Sequence, residues 1–187
     1  MFYRDLLLID IESTGLNPCT HDLIQLAGIL LDKKTLKEKA SFNRYLQPTN
    51  WRNWDPVSMQ VNGIARAVLK KEALPIRQAL KEFSMLHKSP VLLAHWAGDF
   101  VDGPFLKKAY NYIHEPYPFD HHSFNIWPLA CSFLSSQGKF PNKKYPMGFA
   151  FEDLVKLLHI PLLPRHDALN DCRNEAEVLR VLMKKLN

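Results

Sequence analysis

The sequence predicts an α/β fold in which an antiparallel meander of strands is followed by strands alternating with helices. Three observations carry this. Residues 5–11, Asp-Leu-Leu-Leu-Ile-Asp-Ile, form a short and almost continuous apolar run, the pattern of a strand buried on both faces. Two further strand-like segments, Leu23 to Leu31 and about Glu38 to Leu46, follow across short polar breaks at Thr14-Gly15-Leu16-Asn17-Pro18 and Asp32-Lys33-Lys34-Thr35. After Pro48 the pattern changes, and apolar residues begin to recur at helical spacing.

Each later element has its own signal. Pro75 suits the first turn of a helix, with Ile76, Ala79, Leu80, Phe83 and Leu86-His87 following near helical spacing. Pro90-Val-Leu-Leu-Ala-His95 reads as a short buried strand. Phe105, Leu106, Ala109, Tyr110 and Ile113 mark the helix after it. Another helix runs from about Phe151 to Leu158. Beyond Pro161 and Pro164 the last helix carries Ala168, Leu169, Cys172, Ala176, Leu179, Val181, Leu182 and Met183. No internal repeat, low-complexity tract or linker interrupts the chain, so residues 1–187 are expected to form one domain.

Composition bounds the class. A chain of 187 residues can bury a substantial core, and 47% hydrophobic with 23% charged residues is globular rather than disordered. No apolar run approaches the roughly 20 residues that cross a bilayer. Arg4, Asp5 and Asp10 fall inside the first apolar stretch, where a secretory signal would carry none. Three widely spaced cysteines, Cys19, Cys131 and Cys172, form no Cys-x-x-Cys pair, so reduced thiols and a cytosolic location are expected. The formal charge of +5 and pI near 9.1 favour a polyanionic partner. The lysines are scattered in pairs such as Lys70-Lys71 and Lys107-Lys108, however, which is the pattern of a solvated surface.

The chemistry lies in three acidic sites. Asp10-Ile11-Glu12 ends the first strand, and residues two apart on a strand point the same way, so both carboxylates emerge together beside Ser13-Thr14-Gly15. Two adjacent anions need protons or cations. Asp102, in Val101-Asp-Gly-Pro-Phe-Leu106, immediately precedes a helix, where its bland role is an N-cap; Asp99 is its rival. Arg165-His166-Asp167-Ala-Leu-Asn-Asp171 opens the last helix, so that His166 and Asp171 can share a cleft at a helix N-terminus that favours phosphate. Each site alone is uninformative. Together Asp10, Glu12, Asp102 and Asp171 offer hard oxygen ligands suited to Mg²⁺ or Mn²⁺, and two such ions roughly 3.5–4 Å apart can hold the attacking and leaving oxygens of a phosphodiester. Histidine is the side chain suited to accept a proton near neutral pH. No zinc pattern of Cys and His and no Gly-rich phosphate loop is present in the sequence.

These residues resemble the DEDDh family of 3′→5′ exonucleases, the proofreading-exonuclease group with a ribonuclease-H-like fold. Asp10-Ile-Glu12-Ser-Thr-Gly-Leu-Asn-Pro18 is similar to the family's first motif, and Val101-Asp102-Gly-Pro-Phe-Leu106 to its second. His166-Asp-Ala-Leu-Asn-Asp171 is similar to its third. Weaker similarities at Val61 to Ile64, Leu129-Ala130 and Phe151 to Leu158 extend the resemblance over about residues 5–183. It implies a mixed sheet flanked by helices. It also implies two Mg²⁺ or Mn²⁺ ions on Asp10, Glu12, Asp102 and Asp171, with His166 activating the water. Ser13, Thr14, Gly15, Leu16 and Asn62 would hold the terminal nucleotide, with Leu16 wedged under its base, and Trp96, Phe100, Phe124 and Trp127 are candidates for stacking other bases. The partner implied is nucleic acid with a free 3′ end, most simply single-stranded DNA, and no membrane. The alternatives are an RNA-trimming exoribonuclease similar to ribonuclease T or oligoribonuclease, or a silent nucleic-acid-binding module. The chain departs from the family pattern at His95-Trp96, about two residues upstream of the usual His-Asn. It departs also at Gln25, where glutamate is common, and at Asn125, where aspartate often stands. None of these replaces a carboxylate or the histidine of the three motifs.

Overall fold

The computed structural model describes residues 2–96, 101–138 and 149–186. Three strands, β1 (Leu6–Ser13), β2 (Leu23–Leu31) and β3 (Glu38–Tyr45), form the expected antiparallel meander. The β2–β3 turn is organised by Asp32, whose Oδ1 accepts from the backbone N–H groups of Lys34 and Thr35. The chain then crosses to β4 (Leu92–His95) and β5 (Phe124–Asn125), which run parallel to β1 and to one another. The sheet order is β3-β2-β1-β4-β5, with β1 in the middle. Parallel neighbours need long crossovers, and helices fill them.

The chain before β4 holds α1 (Pro56–Asn62), α2 (Arg66–Glu72) and α3 (Ile76–Phe83), α4 (Asp102–Tyr112) links β4 to β5, and α5 (Ile126–Ser136), α6 (Phe151–Leu158) and α7 (Ala168–Leu186) follow β5. They cover both faces of the sheet. Alternation along β1 sends Leu6 and Leu8 into one core with α5, α6 and α7, and Leu7, Ile9 and Ile11 into another with α3 and α4. A strand buried on both faces reads as a continuous apolar run, which is why β1 was legible. At Gly28, opposite Ile9, the sheet meets the fully buried ring of Phe83 so closely that a Cβ would lie 2.9 Å from it.

Several expectations need correcting. Pro75 precedes α3 rather than lying within it, and the helix ends at Phe83, tightening into a 3₁₀ turn over Ser84–His87. Asp102 is the first residue of α4, and Val101 stands where the cap would be. Four elements had no reading. The seven-residue helices α1 and α2 each bury a single side chain, Asn62 and Leu69, too few to show a period. β5 has two residues. In α5, Pro128 hides a true helical repeat of Ile126, Ala130, Phe133 and Leu134, because proline is tolerated in a first turn. Asn125 caps that helix by accepting from the Trp127 N–H, a task aspartate also performs.

Candidate active site

The site forms where β1 and β4 end and α7 begins, at the carboxyl edge of the parallel strands. Asp10 and Glu12 continue the Leu6–Leu8 face of β1, so they face α7. Asp102 enters from the first turn of α4 and is buried. On α7, Asp167 accepts from the Asn170 N–H at 3.0 Å in the manner of a cap, which starts the helix and places Asp171 one turn in.

The carboxylates are close enough to oppose one another's ionisation. Withdrawal from water, and then the charges of Asp102, Glu175, Asp171 and Glu12, push the Asp10 carboxyl well above the usual range. Glu12 is pushed up to about 7, by withdrawal from water first and then by Asp171, Asp102 and Asp167, against the opposing charge of Arg165. Burial raises Asp171, opposed by Arg165, by the His166 N–H and by Asn174. A pocket that holds this many acids together needs protons or cations, and a donor set made of oxygens fits a hard divalent ion.

His166 sits in the loop before α7 with φ +64°, a left-handed backbone that is uncommon outside glycine. Its N–H donates to Asp171 Oδ2 at 2.9 Å, which fixes the loop to the helix. The exposed imidazole then lies within 4.8 Å of ligand oxygens of both Glu12 and Asp171. Arg165 completes the corner. Its Nη1 donates to Asp171 Oδ1 at 2.6 Å, its Nε lies 3.3 Å from Glu152, and its guanidinium stacks over Phe151 at 4.6 Å.

The turn after β1 is held from several sides. Ser13 Oγ donates to the Gly15 carbonyl at 2.7 Å, and the fully buried Thr14 Oγ1 accepts from the Asp22 N–H at 3.0 Å. Gly15 lies against His21 so tightly that a Cβ would fall 2.5 Å from the ring. Asn62 Nδ2 donates to the Ser13 carbonyl while its Oδ1 accepts from Ile64 N–H, so this buried amide braces the turn. Leu16 stands out from the turn, 75% exposed. Lys108 reaches across from α4 to the His21 carbonyl and to Asp22. Burial raises the Asp22 carboxyl, but bonds from the Asn50 N–H, Lys108 and Thr49 outweigh it and hold it below the usual range.

Thus Asp10, Glu12, Asp102, Asp171 and His166 gather in one place, with Ser13 to Leu16 and Asn62 at its rim. Trp96, Phe124 and Trp127 pack instead on the protein's own rings, at Phe151, Phe2 and Phe149 respectively. Asp99 and Phe100 lie outside the described residues. His121 and His122 are exposed beside Asp120, as a surface loop would be. Gln25, buried opposite Glu12, donates its amide to Asn43 and to Asp167, where a glutamate would set carboxylate against carboxylate. Sequence reasoning missed Glu175, Arg165 and the Lys108–Asp22 pair. Glu175 had a signal, because it falls four residues after Asp171 on the same helical face.

Residues 7–179 match the family described as Exonuclease, RNase_T. Among curated proteins the chain is similar to a PolC-type DNA polymerase III from Mycoplasmopsis pulmonis, 27% identical over 107 residues, which is 57% of this chain and 7% of that one. Among solved structures it superposes on E. coli exonuclease I in complex with a dA16 oligonucleotide. The TM-score is 0.80 at 17% identity, covering 97% of this chain and 41% of the other. It superposes also on the nuclease domain of 3′hExo, a DEDDh family member, bound to rAMP, with TM-score 0.75 at 20% identity over 98% of this chain and 94% of that domain. The fold is therefore the mixed, helix-flanked sheet of those exonucleases. The chain spans less than half of the exonuclease I structure and a small fraction of the polymerase.

Proposed function

The chain belongs to the RNase_T exonuclease family, and on that premise we propose that it is a metal-dependent 3′→5′ exonuclease acting on single-stranded DNA, with residues 1–187 as one catalytic domain. The observation that carries this reading is the gathering of Asp10, Glu12, Asp102 and Asp171 beside His166. Asp10, Glu12, Asp102 and Asp171 would hold two Mg²⁺ or Mn²⁺ ions. Such ions, when bound, neutralise the phosphodiester's negative charge and support both the attacking and the leaving oxygen.

The protein's own residues do the rest. His166, held toward Glu12 and Asp171 by its anchored loop, accepts the proton of the attacking water. The exposed Leu16 packs under the terminal base, and the braced backbone of Ser13 to Gly15 meets the terminal nucleotide. Asn62 supports this contact by holding the turn. Arg165 and the His166 N–H each hold one oxygen of Asp171 in place.

No helix among the described residues is long and apolar enough to cross a membrane, and the three thiols are free. Free thiols suit the reducing cytosol. One observation favours a second substrate, RNA: the 3′hExo domain, which this chain covers almost completely, is bound to rAMP. Digestion of end-labelled single-stranded DNA, duplex DNA and RNA in parallel, with Mg²⁺, Mn²⁺ or EDTA, tests both. The DNA reading expects single-stranded DNA to be shortened fastest and EDTA to stop all cutting. Preferential loss of RNA would transfer the function to the second reading.

A further inference from the structure

Glu175 is a carboxylate that the four-acid pattern does not use. It lies one turn beyond Asp171 on α7 and is only 4% exposed. The Trp96 backbone N–H donates to this side chain, but its Oε2 is buried with no hydrogen-bond partner among the described residues. Its charge opposes the ionisation of Asp10, and its own ionisation is opposed by Asp102 and Asp171. It thus sits inside the acidic centre rather than beside it.

Packing alone does not account for such a residue. A buried carboxylate oxygen without a donor is unfavourable, and a neutral residue of the same shape would fill the space without that cost. We propose that Glu175 is a fifth carboxylate of the cation site, its open Oε2 serving a divalent ion held beside Asp10 and Asp102. The inference rests on the metal-dependent function proposed above. Four carboxylates balance the charge of two divalent ions, and the fifth leaves the occupied centre with an excess negative charge that tightens cation binding. The alternative occupant of the open oxygen is a proton, which would make Glu175 a neutral packing residue.

Calorimetric Mn²⁺ titration of the metal-free protein separates the two, with wild type compared against Glu175→Gln and Glu175→Asp. Glu177→Gln, which alters the partly exposed partner of Arg180, is the control. The proposal expects about a 10–100-fold loss of Mn²⁺ affinity in Glu175→Gln, the scale seen when supporting groups around a metal are removed. Glu175→Asp, which keeps the charge, should lose less, and Glu177→Gln should lose nothing. Without metal, Glu175→Gln should melt at or above wild type. Wild-type affinity in Glu175→Gln would overturn the proposal. If Glu175→Gln fails to fold, Glu175→Asp decides, because a displaced carboxylate changes Mn²⁺ affinity only if the ion feels it. A wild type that binds no divalent ion would sink the proposed function itself, a different result from a variant that binds as well as wild type.

Discussion

His166 shows how much a single residue owes to its backbone. It occupies a left-handed conformation at φ +64°, and the bond from its N–H to Asp171 holds it there. Strain of this kind persists where surrounding structure enforces it, and it is common at functional sites. If His166 takes the proton from water, His166→Ala should lower turnover by about 10²–10⁴-fold, the usual contribution of a positioned base. Mn²⁺ affinity should stay close to wild type, because the carboxylates supply the ligands. A steady-state assay with a parallel calorimetric titration checks both, and near-normal turnover would remove His166 from the mechanism. The motif residues were legible because their spacing is local. Two carboxylates on alternate positions of a strand, and a histidine five residues before an aspartate, need no tertiary information to be noticed. Arg165 was not legible and Glu175 showed only its place on the helical face of Asp171, because a glutamate and an arginine are ordinary on a helix and its flanking loop. Only the packing of α7 onto β1 turns them into parts of the site.

At the scale of elements, the sheet positions everything. β1 carries two carboxylates because its Leu6–Leu8 face continues into Asp10 and Glu12, and a slip of one residue would turn both toward the α3–α4 side. Register therefore matters more here than strand length. Gly28 helps to set the packing behind it, since Phe83 occupies the space a side chain would need. Gly28→Ala should destabilise the fold by about 1–3 kcal/mol, the usual cost of overpacking a filled core, and urea unfolding would measure it. An unchanged midpoint would mean that Phe83 moves aside freely. The strands and the long helices could be read because each carries a clear apolar period. The short helices α1 and α2 could not, yet α1 supplies Asn62, which braces the turn after β1. Sequence patterns find what is periodic, and this brace is a single buried amide on a seven-residue helix.

For the whole molecule, the acidic centre links stability, pH and metal. Glu12 has its folded value near 7 against an ordinary 4.5, and Asp10, Asp171 and Glu175 are raised as well. Between those values the folded protein holds protons that the unfolded chain has released, so metal-free stability should fall as pH rises from about 4.5 to 7. Asp22 acts in the opposite sense: its lowered value contributes stability that is lost as pH falls through the acid range. Melting temperatures measured across pH 4.5–7.5 should show the decline in EDTA. Saturating Mn²⁺ should raise the melting temperature at neutral pH and flatten the decline, because cations then do what protons did. Identical profiles with and without metal would show that the centre binds none. The modest excess of +5 carries less of the account than this buried negative centre, which needs cations before it can meet a phosphodiester.

The most direct measurement follows single-stranded DNA bearing an internal label in the presence of Mg²⁺, with the 3′ end free, the 3′ end blocked, the 5′ end blocked, or the strand closed into a circle. A metal-dependent 3′→5′ exonuclease should release mononucleotides from the free and the 5′-blocked strands, leave the 3′-blocked strand and the circle intact, and lose all activity in EDTA. Efficient cutting of the circle or of the 3′-blocked strand, or undiminished cutting in EDTA, would contradict the account.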